Sequence, residues 1–244
     1  MRSKFAGLMF WVLLCGAAAA QAPNPDAPMP LPPPPATNPP MTGPKLLLST
    51  TMGDLVIQLD AVRAPKTVAN ILSYVRERHY DGTVIYRVVK GFVLEMGSWD
   101  AEVKGRPIHR SGPPLEANNG LKNLRGTLSL ARGDAPDSGR ADFFINLSDN
   151  NSLDQSAMDT QNVTGFAVFG MVESGMDIAD QMSVVPVGDK GPMPGEAPVT
   201  PIVITKMRVI GEPEPPPRKP AAKPVVAKPT TAQKPVPATA KKRN

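Results

Sequence analysis

The sequence predicts a mainly β protein, a closed antiparallel β-barrel of about eight strands capped by two helices, over residues 45–210. Three observations lead there. Of the 30 prolines, 20 fall in residues 21–44 and 211–244, so the 166 residues between are the part able to pack a core. Within that stretch, short apolar or alternating runs recur between turn signals, which is the mark of strands. Just two runs carry a helical spacing, and many short strands with few helices suit a barrel.

The elements follow in order. Lys45–Thr50 and Leu55–Leu59 are β-type runs separated by Met52-Gly53-Asp54, which reads as a hairpin. Ala64-Pro65 opens a helix, because proline presets the first turn. Val68, Ile71, Leu72 and Val75 then recur at i, i+3, i+4, i+7 and form one apolar face. Asp81-Gly82 turns the chain into Thr83–Val89. Phe92–Met96, Thr127–Ala131, Phe143–Leu147 and Phe166–Val172 are further strands. Gly175–Ser183 is a second short helix, with Ile178, Ala179 and Met182 apolar, and Pro201–Ile210 alternates as a closing strand.

Charge and composition remove several classes of function. Residues 45–210 carry 17 basic and 19 acidic groups, whereas residues 211–244 carry eight and two. The basic character belongs to the tail, which argues against a basic nucleic-acid-binding domain. Cys15 is the only cysteine, and the only histidines are His79 and His109, which is poor material for a zinc site. No phosphate-binding loop, paired-histidine motif or Gly-x-Ser-x-Gly elbow is present. Arg132-Gly133-Asp134 spells an adhesion tripeptide, and chance in a polar loop accounts for it.

Residues 1–20 read as a secretory signal peptide, with Arg2 and Lys4 ahead of an apolar stretch and Ala18 and Ala20 before Gln21. The product is then periplasmic or secreted if the source is bacterial. Leu14 stands where a lipoprotein signal at Cys15 wants a small residue, which argues against lipidation. Residues 21–44 read as a proline-rich spacer. The tail, 211–244, repeats Lys-Pro at 219, 223, 228 and 234. It reads as an extended tether, with loose contact to an anionic envelope polymer as the alternative.

Three blocks stand in fixed order. The first is Tyr86-Arg87-Val88-Val89-Lys90-Gly91-Phe92-Val93-Leu94-Glu95-Met96-Gly97. The second runs from Asn118-Asn119-Gly120-Leu121 through Arg125-Gly126-Thr127-Leu128-Ser129-Leu130-Ala131-Arg132 to Asp142-Phe143-Phe144-Ile145-Asn146. The third is Ser152-Leu153-Asp154, then Phe166-Ala167-Val168-Phe169-Gly170 and Gly175-Met176-Asp177. Together they resemble the cyclophilin family of peptidyl-prolyl cis–trans isomerases, most closely its bacterial periplasmic branch. The likeness covers residues 45–210, nearly the whole middle domain.

The resemblance implies an enzyme that needs no cofactor or metal. Its partners would be Xaa-Pro segments of unfolded or exported proteins, and a monomer is expected. Arg87 takes the position of the family's catalytic arginine. Phe92, Val93, Phe144, Leu153 and Phe166 take positions that line or rim the proline pocket. Backbone groups at Ala131, Arg132 and Gly133 would run beside the substrate. Phe143 should point the other way, into the core, since strand side chains alternate. The chain also departs from the family pattern. Tyr86 stands for a histidine, Val93 for a methionine, Glu95 and Asp142 for glutamines, Met96 for a glycine. Glu95 and Asp142 are placed with the substrate-binding residues, near Arg87. Carboxylates there either position the guanidinium or compete with the substrate for its donors. The second outcome leaves a proline-peptide binding module with little catalysis.

Overall fold

The computed structural model describes residues 36–190 and 193–215. The leader, most of the proline-rich spacer and nearly all of the basic tail lie outside the described residues. Among the described residues ten strands form: β1 (Lys45–Thr50), β2 (Gly53–Leu59), β3 (Thr83–Val89), β4 (Val93–Asp100), β5 (Thr127–Leu130), β6 (Phe143–Asn146), β7 (Val168–Ser174), β8 (Val187–Gly188), β9 (Ala197–Pro198) and β10 (Ile202–Val209). Eight of them close an antiparallel barrel in the order β1-β10-β3-β4-β6-β5-β7-β2, and β8 and β9 pair apart from it. Two helices accompany them, α1 (Pro65–Arg76) and α2 (Met176–Met182).

The core follows from strand alternation. In β1, Leu46 and Leu48 are buried while Lys45, Leu47 and Ser49 are partly open; β2 repeats this with Leu55, Ile57 and Leu59. Phe143 is fully buried, edge-on to Tyr80 and Phe169. Helix α1 buries Val68, Ile71, Leu72 and Val75, the face its spacing foretold, together with Thr67 and Tyr74. No side chain of its own caps α1. Instead the Glu116 carboxylate accepts from the Lys66 and Thr67 N–H groups at 3.1 and 2.8 Å, an anion at the positive end of the helix.

Several boundaries differ from the sequence reading; β7, for example, is Val168–Ser174, so Phe166 precedes the strand. Gly53 and Asp54 belong to β2 rather than to the turn, and β4 runs on to Asp100. The spacer is tied to the domain from Asn38 onward: Asn38 and Lys122 exchange side-chain–backbone hydrogen bonds at 2.9 and 2.8 Å, and Ala61 N–H donates to Thr42 O at 3.0 Å. At the other end, Arg76 and Arg78 pair with Glu212 and Glu214, and Arg78 Nε also reaches Pro215 O at 2.9 Å. Proline content reports reluctance to join helix or sheet. It does not forbid side-chain and carbonyl contacts along a finished surface.

Candidate active site

The functional side chains converge because β3, β4, β5 and β6 are neighbours on one wall of the barrel. The β3–β4 ladder carries a bulge: Ile85 pairs with Met96 and Arg87 with Glu95, so Tyr86 is an extra residue. A bulge re-aims side chains. Here it lets adjacent residues reach one carboxylate. Tyr86 Oη donates to Glu95 Oε1 at 2.7 Å, and Arg87 Nη1 donates to Glu95 Oε2 at 3.2 Å. Tyr86 is buried against Trp99, and burial, reinforced by Glu95, raises its pKa far above the ordinary value, so the hydroxyl remains a donor.

Arg87 has a second anchor. Its Nε donates to Glu196 Oε2 at 2.5 Å. Burial works against the guanidinium charge, but the hydrogen bonds and charges of Glu196 and Glu95 outweigh it and raise its pKa. Among the described residues no hydrogen bond engages Nη2.

Arg87 forms one side of a cavity of about 190 Å³. Phe92, Val93, Glu95, Ala131, Arg132, Phe144, Leu153, Phe166 and Met193 complete its lining. Phe144 and Phe166 meet edge-on with centroids 5.4 Å apart. Arg132 lies over the Phe166 ring at 5.3 Å and donates to Gly165 O, Gly133 O, Asp134 O and Val163 O. Its donors thus tie the 163–165 segment to the 133–134 loop, and its guanidinium rests on the Phe166 ring.

Behind the cavity a buried amide network ties its walls together. Asn150 Nδ2 donates to Phe92 O at 3.0 Å and to Asn146 Oδ1 at 2.7 Å. Asn146 donates to Thr127 Oγ1 at 2.9 Å, and Ser129 Oγ donates to Asn123 Oδ1 at 2.6 Å. Asn123 in turn donates to Asp154, next to Leu153. The turn carrying Phe92 and the 3-10 segment carrying Leu153 are held to the same frame.

Nine of the residues singled out in the sequence share this cavity: Arg87, Phe92, Val93, Glu95, Ala131, Arg132, Phe144, Leu153 and Phe166. Gly133 and Asp142 do not line it. Gly133 N–H is bonded to Ser138 Oγ at 2.9 Å. The Asp142 carboxylate, read as a neighbour of Arg87, instead accepts from Ser98 N–H at 2.8 Å. It packs against Gly97, where an added Cβ would fall 2.6 Å from the Asp142 Cα. Burial pushes its pKa up to about 6. Sequence reasoning missed Met193 and Glu196. A signal existed, since Met193-Pro194-Gly195-Glu196 has proline and glycine where a type II turn wants them. Nothing local says where that turn lands.

Known proteins share the sequence pattern and the fold of this chain. Residues 45–209 match the model of the family described as cyclophilin type peptidyl-prolyl cis-trans isomerase/CLD. Peptidyl-prolyl cis-trans isomerase A of Dickeya dadantii is 40% identical over 171 residues, 69% of this chain and 86% of that protein. Peptidyl-prolyl cis-trans isomerase B of Escherichia coli is 40% identical over 162 residues, 66% of this chain and 96% of that protein. The crystal structure of a Cryptosporidium parvum cyclophilin type peptidyl-prolyl cis-trans isomerase superposes with a TM-score of 0.56 at 22% identity, covering 70% of this chain and 99% of that one. The same protein was also solved in the presence of the dipeptide Ala-Pro. With a family match across the whole barrel and bacterial relatives at this identity, the chain belongs to the cyclophilin-type peptidyl-prolyl cis–trans isomerases.

Proposed function

We propose that this isomerase accelerates Xaa-Pro isomerisation in exported proteins, with Arg87 as hydrogen-bond donor to the prolyl nitrogen and Phe92, Phe144 and Leu153 as the clamp on the proline ring. The observation that carries the reading is a guanidinium at the edge of an apolar cavity, anchored at Nε and Nη1 with Nη2 uncommitted among the described residues. Rotation about the Xaa-Pro bond breaks amide resonance across a barrier of about 18–20 kcal/mol. No covalent bond is exchanged, so the reaction asks for neither nucleophile nor metal. In the twisted state the prolyl nitrogen regains its lone pair and accepts a hydrogen bond that the planar amide cannot. The apolar walls hold the ring while the preceding residue swings. Export rests on the leader-like residues 1–20.

A second reading keeps the groove and loses most of the turnover, leaving a proline-peptide binding module. The two carboxylates on Arg87 favour it, because both take donors the substrate would use. Two-dimensional exchange NMR on an Ala-Pro peptide with catalytic amounts of the full chain decides between them. An enzyme speeds exchange, and Arg87→Ala removes roughly 10²–10³-fold of that effect with peptide affinity little altered. Peptide shifts that move on binding without faster exchange identify the binding module.

A further inference from the structure

An arginine that must donate to one nitrogen of a moving substrate faces a problem of aim. Its side chain is long, and a planar guanidinium held at a single point still swings about that point. Two anchors on different nitrogens fix the plane. Glu95, from the neighbouring strand β4, supplies one at Nη1, with its own carboxylate steadied by Tyr86 Oη. The other comes from far along the chain. Glu196 Oε2 takes the Nε proton at 2.5 Å, the shorter of the two contacts.

We propose that Glu196 is a positioning residue of the isomerase, fixing the Arg87 guanidinium by its Nε so that the remaining Nη2 donor is aimed at the prolyl nitrogen. This rests on the reading of Arg87 as the donor. The fold holds Glu196 in place from three directions. Its carbonyl accepts from Val88 N–H at 2.7 Å, next to Arg87 itself. Its own N–H donates to Met193 O at 3.1 Å, closing the turn Met193-Pro194-Gly195-Glu196. Gly195 takes φ +80°, which the third position of a type II turn requires. Directly after the turn, β9 pairs with β8 through Ala197↔Gly188 and Pro198↔Val187. The backbone is therefore fixed before the side chain reaches out. The same turn brings Met193 to the cavity, so one four-residue device serves both the donor and the apolar wall.

The test uses the full chain and an Ala-Pro peptide, with kcat and KM determined separately. Glu196→Ala is expected to lower kcat roughly 10- to 100-fold with KM held within about twofold, as a misaimed catalytic group does. Glu196→Gln keeps an acceptor for Nε–H and is expected to recover to within about threefold of the parent kcat. Glu196→Asp keeps the charge and loses the reach, so its kcat should fall with that of the alanine variant. The Arg87 Nε–Hε resonance reports the contact directly. It should persist in Glu196→Gln and move or broaden in Glu196→Ala, while the backbone amide spectrum shows the barrel intact. Wild-type kcat in Glu196→Ala overturns the proposal, as does a glutamine variant as slow as the alanine one, or a loss expressed in KM. Arg87→Ala separates the two readings. If it turns over normally, the donor assignment fails. If it is inactive while Glu196→Ala is not, only the positioning role fails.

Discussion

Tyr86 and Arg87 are consecutive in the chain, yet they donate to opposite oxygens of one carboxylate, that of Glu95. Regular strands send neighbours to opposite faces. The extra residue at Tyr86 breaks that alternation, and the site depends on the break. Tyr86→Phe deletes the donor to Glu95 Oε1 and leaves that oxygen half-buried. Urea unfolding should show a loss of about 1–2 kcal/mol, and kcat should fall a few-fold because Glu95 no longer holds Nη1 firmly. Stability and kcat both equal to the parent would mean the Tyr86 bond has no part in the site.

Phe143 and Phe144 test the alternation that does hold. Phe143 is in the core against Tyr80 and Phe169, while Phe144 lines the cavity beside Phe166. Phe143→Ala should destabilise the barrel by about 3–5 kcal/mol. Phe144→Ala should cost less stability and raise KM for an Ala-Pro peptide roughly tenfold. Equal stability losses with unchanged KM in both would remove Phe144 from the clamp.

Asp142 gives a pH signature. Its pKa is raised from 3.8 to about 6, chiefly by burial. A carboxyl whose folded pKa is raised favours the fold most when protonated, below pH 4, and that contribution is lost as pH rises through about 6. The most it can amount to is about 3 kcal/mol. Asp142→Asn leaves an acceptor for Ser98 N–H and has no such slope. Unfolding free energies of the two proteins at pH 4 and pH 7 should therefore diverge, with the variant gaining on the parent at the higher pH. A constant difference across that window would show that the carboxyl titrates normally.

Export is tested on the product itself. Expressed in a bacterium with its leader, the full chain should be recovered from the periplasm or medium with Gln21 as its first residue. A product retained in the cytoplasm with Met1 intact would remove the exported clients from the proposal.

Much of this architecture is readable from local pattern. Leu46 and Leu48, Leu55, Ile57 and Leu59, and the Val68-Ile71-Leu72-Val75 face are all buried as their periods demand. Arg87, Phe92, Phe144 and Leu153 meet because three blocks in order specify one fold, and the fold brings them together. Glu196 shows where this reasoning ends. It stands 109 residues from Arg87, in a Pro/Gly-rich run with no helical or strand period. Its turn is legible and its destination is not, because the destination depends on Val88 and on the β8–β9 pairing. Asp142 shows the converse. Its place beside the groove follows from β6, but the missing side chain at Gly97 opens a nearer pocket for its carboxylate.

Closure of the barrel has a further consequence for an enzyme of this kind. Xaa-Pro bonds are most accessible in chains that have not finished folding, and such chains carry unpaired N–H and C=O groups seeking a strand to join. An open sheet would offer them its margin and become a template for aggregation. Here β1 meets both β2 and β10, and every strand of the ring has a neighbour on each side. The eight strands of the ring therefore leave no lateral edge at which an unfinished chain could add itself as a further strand.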